Sequence, residues 1–218
     1  LGARPGWRGL LPTLYPRLSG HARALVDAAR SFVGLEEAKE GPERLAMRKL
    51  LRDFERDPFR SRPIGFYAES DALSRLFKHD RMLQSELAPD VAAALAAALG
   101  ADADSYRFLL KLVEIVTGPR AMGSVEDSGA SRQALLPPSD SLEGRLMKEL
   151  SSNGRAPEGF RVIDELVARI RDGRLDTHPR AEDGFYAHKQ HAMSALLAPD
   201  TPGLEVGPKY RKALEELF

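Results

Sequence analysis

Three of the five histidines lie between His178 and His191, in a segment that also holds two carboxylates. Neutral imidazoles and carboxylates are ligands that zinc, iron and manganese accept. His188 and His191 are three residues apart, and such residues are neighbours on one face of a helix. The segment therefore predicts a site for a divalent transition metal, with these candidate ligands: His178, Glu182, Asp183, His188 and His191.

The predicted helix around these histidines also supports a second interpretation. Successive helical residues are about 100° apart, which puts His188 and His191 on one side of the helix. The apolar residues fall roughly opposite: Phe185, Tyr186, Met193, Leu196 and Leu197. Lys189 falls near this apolar side, so the phase of the helix stays open. The alternative to a metal site is a pair of histidines that face solvent or a second layer.

Asp80 is the candidate for acid or base catalysis. It continues the apolar stripe of Leu73, Leu76 and Phe77 at the next helical turn. A carboxylate at such a position costs free energy unless it is paired or hydrogen-bonded. One interpretation is an acid or base with a shifted pKa in a pocket between helices. The other is a structural ion pair, or a helix edge that reaches water.

The tetrapeptide Gly-Phe-Tyr-Ala occurs twice, at residues 65–68 and 184–187, although the chain has only nine Phe and five Tyr. Aromatic residues where a chain enters a helix usually anchor that entry to the core. The alternative is a cleft for an apolar ligand or cofactor, with the hydroxyls of Tyr67 and Tyr186 in its walls.

Longer segments recur in the same order around the two tetrapeptides. Residues 42–57 and 157–172 have equal length, begin with Pro-Glu and end with Arg-Asp. Each precedes a Gly-Phe-Tyr-Ala, and Leu-Ala-Pro-Asp follows at residues 87–90 and 197–200. An internal duplication predicts this order. Chance recurrence of common helix-boundary residues would produce the same pattern.

Helical periodicity dominates the chain and predicts an all-α protein. Helix starts are indicated at Pro42 and at Ser70 or Asp71, and helix ends at Gly118 and Gly154. Few segments alternate with period two, so no convincing sheet is expected. We expect a bundle or array of about eight to ten helices, with two pseudo-repeated units if the duplication is real.

Composition along the chain predicts four parts. Residues 1–20 form an extended N-terminal arm, 21–117 a helical unit, 118–141 a loop or linker, and 142–218 a second helical unit, unless both units form one domain. The apolar residues of the arm either dock onto a partner or pack on their own domain: Trp7, Leu10, Leu11 and Tyr15.

Overall composition excludes several classes of function. The 218 residues carry 32 basic and 32 acidic side chains, so no net charge favours general nucleic-acid binding. The absence of cysteine excludes disulfides, thiolate metal sites and cysteine nucleophiles. The sequence contains no run of 18 apolar residues, the length that would predict a membrane span. We therefore expect a soluble chain, either cytoplasmic or secreted. The strong motifs of nucleotide-binding proteins, zincins and serine hydrolases are missing from the sequence.

Three segments carry a resemblance: residues 62–84, 184–200 and the closing Lys-Tyr-Arg-Lys-Ala-Leu-Glu-Glu-Leu-Phe. Together they resemble the N-terminal region of a large uncharacterised bacterial protein family. This resemblance implies no activity, and it implies that the chain is one part of a longer protein. The closing segment agrees, because it stops within a helical pattern without a C-cap.

The leading hypothesis is a helical interaction or scaffold module that binds protein partners or the remainder of a longer protein. Two alternatives come from other classes. One is a metal-dependent helical enzyme that uses His188 and His191, completed by Glu182, Asp183 or His178. The other is a helical protein that binds an apolar ligand between Tyr67 and Tyr186. The sequence leaves the enzyme question and the oligomeric state open.

Overall fold

The computed structural model describes residues 7–35, 41–63, 65–141, 144–145, 149 and 162–197. These residues are mostly helical, which confirms the all-α class. The α-helices in chain order are α1 (Trp7–Leu14), α2 (Gly20–Phe32), α3 (Pro42–Glu55), α4 (Pro58–Ser61), α5 (Asp71–Leu83), α6 (Pro89–Leu99), α7 (Ala103–Thr117), α8 (Val162–Arg171) and α9 (Phe185–Leu197). Among the described residues, seven of these helices are at least ten residues long. The sequence predicted a larger number, eight to ten helices.

Several helices begin or end at the residues that the sequence predicted, for reasons of local chemistry. Helix α3 begins at Pro42, and the Ser70 hydroxyl caps α5 by accepting a hydrogen bond from the Leu73 N–H at 3.3 Å. Helix α7 ends before Gly118, which has φ +93° and donates its N–H to the Glu114 carbonyl at 2.8 Å. The helix end expected at Gly154 lies outside the described residues.

The chain divides into two compact units. Unit 1 comprises Leu1–Leu112 and Arg120–Pro138, and unit 2 comprises Val113–Pro119 and Ser139–Phe218. Helix α7 therefore contributes its first residues to unit 1 and its last turn to unit 2. The segment expected to be a loop or linker, 118–141, is divided between the two units.

Helix α2 is the central element of unit 1 and packs against α3, α5 and α6. Most of its residues are buried, including four alanines whose small side chains let neighbouring helices approach closely. The largest fully buried side chains of unit 1 are Leu10, Leu14, Tyr15, Phe54, Met82, Leu83, Leu95, Leu99, Tyr106 and Leu135.

From Trp7 onward, where the structure describes it, the N-terminal segment differs from the extended arm that was expected. It forms helix α1 and a 3-10 turn at Tyr15–Arg17. Leu10, Leu11 and Tyr15 are buried in the core of unit 1, because Leu10, Leu11 and Leu14 share one helix face. The segment thus packs on its own domain, the second of the two interpretations.

Residues 120–138 have little regular secondary structure, yet they pack into unit 1. Gly123–Ser124 pairs in parallel with Gln133–Ala134, a two-residue pairing too short to appear as alternation in the sequence. The Tyr106 hydroxyl donates to the Leu135 carbonyl at 2.9 Å, and the Leu136 N–H donates to the Leu83 carbonyl at 3.0 Å. Val125 and Leu135 are buried, so this segment belongs to the core.

Asp127 closes the turn between these two short strands. From the pKa of its side chain we expect the stability of the fold to depend on pH. Burial tends to raise its pKa, but the hydrogen bonds from Ser124 and the Arg120 guanidinium outweigh burial and hold the pKa below its usual value. A carboxylate whose pKa is lower in the folded state stabilises the fold at pH values above its unfolded pKa of about 3.9. This stabilisation is lost as the pH falls through the pKa of the folded state. Because the Asp127 side chain is 44% exposed, the effect should stay below about 1 kcal/mol.

The measurement is urea unfolding at pH 6 and pH 3, followed by fluorescence of the single tryptophan, Trp7. The native chain should lose more unfolding free energy between the two pH values than Asp127→Asn does. Asp53→Asn, which changes an exposed carboxylate of α3, is the control and should behave like the native chain. Equal losses in native chain and Asp127→Asn would contradict the prediction.

None of the described helices combines the length and apolar character needed to cross a membrane.

Candidate functional site

In unit 2, the chain that enters helix α9 lies directly against the C-terminal end of helix α7. A Cβ atom added at Gly184 would collide with the Gly118 nitrogen and would lie 2.9 Å from both the Glu114 carbonyl oxygen and the Val116 carbonyl carbon. All three are backbone atoms, which cannot rotate away as a side chain can. Only glycine fits at position 184, and its backbone contact with α7 fixes where α9 begins.

Four large apolar side chains extend from the two segments that meet at this glycine contact. Ile115 and Val116 on α7 are 57% and 50% exposed, and Phe185 and Tyr186 on α9 are 67% and 44% exposed. We refer to these four residues as the apolar patch of unit 2. The second Gly-Phe-Tyr-Ala thus presents its aromatic side chains to solvent instead of anchoring the helix entry to the core.

The phase of α9 differs from the one expected from the sequence. Ser194 is buried and His191 is partly buried, whereas His188 and Lys189 are exposed. The face toward the interior of unit 2 therefore carries His191 and Ser194, and the aromatic residues at the start of the helix face outward. A different face of α9 points inward than the apolar pattern predicted. This is possible because polar groups outside the helix form hydrogen bonds with His191 and Ser194.

Those polar partners form a chain of hydrogen bonds between α9 and the loop before it. Thr177 Oγ1 lies 3.1 Å from His191 Nδ1 and 2.7 Å from Ser194 Oγ. Ser194 Oγ donates to the His191 carbonyl at 2.8 Å. The His178 ring lies against the His191 ring, with centroids 4.3 Å apart and planes tilted by 49°. His178 Nδ1 lies 3.6 Å from Asp176 Oδ1.

Of the five predicted metal ligands, the structure brings two rings together, those of His178 and His191. Asp183 closes a turn by accepting the Arg180 N–H at 2.7 Å, and Glu182 and His188 are exposed. Across the described part of the chain, no three His, Cys, Asp or Glu side chains come together in a way that could hold a metal ion.

Sequence reasoning missed Thr177 and Ser194, the two hydroxyl residues that hold His191. The available signal was the tripeptide Asp176-Thr177-His178 directly before the second Gly-Phe-Tyr-Ala, together with the three-residue spacing from His191 to Ser194. Hydroxyl residues are common in loops and helices, so this pattern alone would not have singled them out.

In unit 1, Asp80 contacts His79 and acts electrostatically on Tyr67. Asp80 Oδ1 lies 2.8 Å from Nδ1 of His79, a buried residue, and the Asp80 side chain is 35% exposed. Burial raises the pKa of Tyr67, and the negative charge of Asp80 raises it further. The Tyr67 ring packs on Phe77 with centroids 5.4 Å apart. Asp80 thus has its neighbour His79 as a hydrogen-bond partner, and Tyr67 anchors its corner to α5.

A surface groove of about 500 Å³ lies in unit 1 along α2, α3 and α5. Its lining includes Glu55, Asp71, Arg75 and Lys78, and Lys78 pairs with Glu55 at 2.9 Å. This charged lining differs from the apolar cleft considered for the Gly-Phe-Tyr-Ala corners, and neither Tyr67 nor Tyr186 contributes to it.

Comparisons with protein-family models, with curated proteins and with solved structures find no match for this chain. A function can therefore be argued only from the residues and their geometry.

Proposed function

We propose that this protein is a helical interaction module that binds a protein partner through the apolar patch of unit 2. The observation that supports this proposal is the exposure of Ile115, Val116, Phe185 and Tyr186 around one backbone contact. Single exposed apolar side chains are common on proteins, but grouped ones mark interaction surfaces more often.

The composition of the patch suits a protein–protein contact. Aromatic residues carry much of the binding energy of such interfaces, since they bury a large area with little loss of side-chain entropy. The Gly184 contact holds the start of α9 against α7, so the backbone that presents Phe185 and Tyr186 is ordered before a partner binds. Binding then costs less conformational entropy.

The rim of the patch indicates the chemistry of the partner. Glu182, His188 and Lys189 are exposed around the start of α9 and differ in charge. Neither sign dominates, so electrostatic attraction would contribute little to the encounter. The partner surface should therefore be apolar at its centre, with a mixed polar border.

Site-specific photo-crosslinking in cells that express the protein tests this proposal. A benzophenone amino acid replaces Phe185, an aromatic residue for an aromatic one, and in a separate chain replaces Leu45, which is exposed on α3 and lies outside the patch. We expect one defined protein product from position 185, with a yield at least fivefold above that from position 45. Ile115→Lys should reduce the yield from position 185 at least fivefold, since it places a charge in the patch.

Leu45→Lys is the matched control, because Leu45 is 68% exposed on α3 and lies outside the patch. It should leave the cross-link at position 185 unchanged. If Ile115→Lys and Leu45→Lys have the same effect, or if position 45 yields the same products as position 185, the patch is not the binding surface. A product that joins two copies of this chain would identify the partner as a second copy.

We also propose that the complete chain has eight to ten helices and that its two units arose by duplication. The order of elements supports this, since α3 and α5 flank the first Gly-Phe-Tyr-Ala while α8 and α9 flank or contain the second. An experimental structure in which α3 and α5 fail to superpose on α8 and α9 would refute the duplication.

A further inference from the structure

We infer that His178 and His191 form a two-histidine site for a divalent transition-metal ion in unit 2. Their ring centroids are 4.3 Å apart, although the residues lie on a loop and on α9. Zinc–imidazole bonds are about 2.0–2.1 Å long, so two nitrogens on one ion lie within about 4 Å of each other. The two rings are in contact, and rotation of the exposed His178 side chain can bring its nitrogen to the separation that a shared ion requires.

The hydroxyl chain fixes which nitrogen of His191 is available. Ser194 donates its proton to the His191 carbonyl, so its oxygen must accept from Thr177. Thr177 has then used its own proton, and its oxygen accepts from His191 Nδ1–H. His191 is therefore held as the tautomer with a proton on Nδ1 and a lone pair on Nε2, the form that can bind a metal.

His178 is not fixed in the same way. Its Nδ1 lies 3.6 Å from the Asp176 carboxylate, beyond hydrogen-bond distance, and this nearby negative charge on the Nδ1 side favours Nε2 as the atom that coordinates. Within the described residues, neither Nε2 atom has a hydrogen-bond partner. Histidine ligands of metals commonly have an oxygen on the other ring nitrogen, which sets the tautomer and the ring orientation. Thr177 fills this role for His191.

Exposure makes the site accessible from solvent. The His178 side chain is 79% exposed, whereas Thr177 and Ser194, which hold His191, are buried. One ligand is thus fixed and the other can adjust to the ion. Two imidazoles suit Zn²⁺, Ni²⁺ or Cu²⁺. Because no third ligand joins them among the described residues, water would complete the coordination and binding would be reversible.

The two-histidine site is independent of the proposed protein interaction, because none of the four patch residues is a ligand. It also changes the ligand set expected from the sequence, since it uses His178 with His191 and leaves out His188. That difference provides a matched control on the same helix.

Titration of the native chain with ZnCl₂ tests the site. Binding is measured by calorimetry, and the nitrogen resonances of the histidine rings identify the atoms that coordinate the ion. We expect one saturable site, with Nε2 of His178 and of His191 shifting on binding. His178→Gln and His191→Gln should each weaken Zn²⁺ binding at least tenfold, and His188→Gln should bind like the native chain.

Thr177 is tested separately as a positioning residue. Thr177→Val removes the oxygen at His191 Nδ1 and should weaken Zn²⁺ binding about tenfold or more, whereas Thr177→Ser retains the hydroxyl and should restore it. His178 is exposed, so His178→Gln remains a valid test even if the variants of His191 or Thr177 fold poorly. Absence of saturable binding, native affinity in His178→Gln, or equal loss in His188→Gln would overturn the inference.

Discussion

Replacing Gly184 with alanine is expected to destabilise unit 2 by about 3 kcal/mol or more. The added methyl group would collide with the Gly118 nitrogen and would lie 2.9 Å from the Glu114 carbonyl oxygen. Because these are backbone atoms of α7 and the residue after it, relief requires α9 to move away from α7. That movement would also displace Phe185 and Tyr186 from the apolar patch.

Hydrogen exchange of the backbone amides in α9 measures this effect within unit 2. A loss of about 3 kcal/mol corresponds to roughly 100-fold faster exchange through local opening. Gly173→Ala is the control, because Gly173 has φ +64° and no atom lies within 4 Å of an added Cβ. It should lose only the cost of a positive φ, about 1 kcal/mol. Equal losses of stability in Gly184→Ala and Gly173→Ala would mean that the backbone at Gly184 does not lie so close to the backbone at the end of α7.

The two copies of Gly-Phe-Tyr-Ala show what a short sequence can and cannot predict. The first forms a 3-10 turn in which Tyr67 packs on Phe77, as expected for an anchor at a helix entry. The second begins α9 with Phe185 and Tyr186 exposed. The same four residues differ in burial because burial depends on the surrounding segments, which the tetrapeptide does not encode.

Helix starts and ends could be predicted because their causes are local. Pro42 begins α3, Ser70 caps α5 and Gly118 ends α7, each through its own backbone or side-chain chemistry. The phase of α9 could not be predicted in the same way. Its interior face is set by Thr177, a residue outside the helix, whose hydroxyl satisfies His191 and Ser194. Polar partners of this kind override the apolar pattern.

Long-range packing also explains the difference in the segment 118–141. Its Gly, Ser and Pro content is typical of a linker, and residues 120–138 do lack long helices or strands. Yet Val125, Leu135 and Leu136 fill the core of unit 1, where Tyr106 bonds the Leu135 carbonyl. Few apolar residues suffice when the rest of the core already exists, so composition alone underestimates their burial.

Charged residues in α2 were equally hidden from a reading of the sequence. Arg23, Asp27 and Arg30 resemble one solvated helix face, yet Asp27 is fully buried and Arg30 is 6% exposed. The guanidinium carbons of Arg23 and Arg30 lie 4.6 and 4.3 Å from the centroid of the Tyr15 ring. Two positive charges beside one buried ring require negative charge nearby, and Asp27 lies one helical turn from both arginines.

We expect Asp27→Asn to lower the free energy of unfolding by about 3–5 kcal/mol. The substitution keeps the shape of the side chain and removes its charge, so Arg23 and Arg30 would remain at the Tyr15 ring without a carboxylate one helical turn away. Urea unfolding followed by Trp7 fluorescence measures the loss. Asp53→Asn on the exposed face of α3 is the control and should change the value by less than about 0.5 kcal/mol. A similarly small change in Asp27→Asn would contradict the prediction.

A second substitution distinguishes charge balance from packing as the cause. If the loss in Asp27→Asn comes from an uncompensated guanidinium, removing that charge as well should recover stability. The double variant Asp27→Asn, Arg30→Met should then be more stable than Asp27→Asn alone, by about 1 kcal/mol or more. If lost packing were the cause, the losses of unfolding free energy from Asp27→Asn and from Arg30→Met would add, because Arg30 also stacks on Tyr15. The sign of the coupling thus decides whether Asp27 lies in the core to neutralise the arginines of α2.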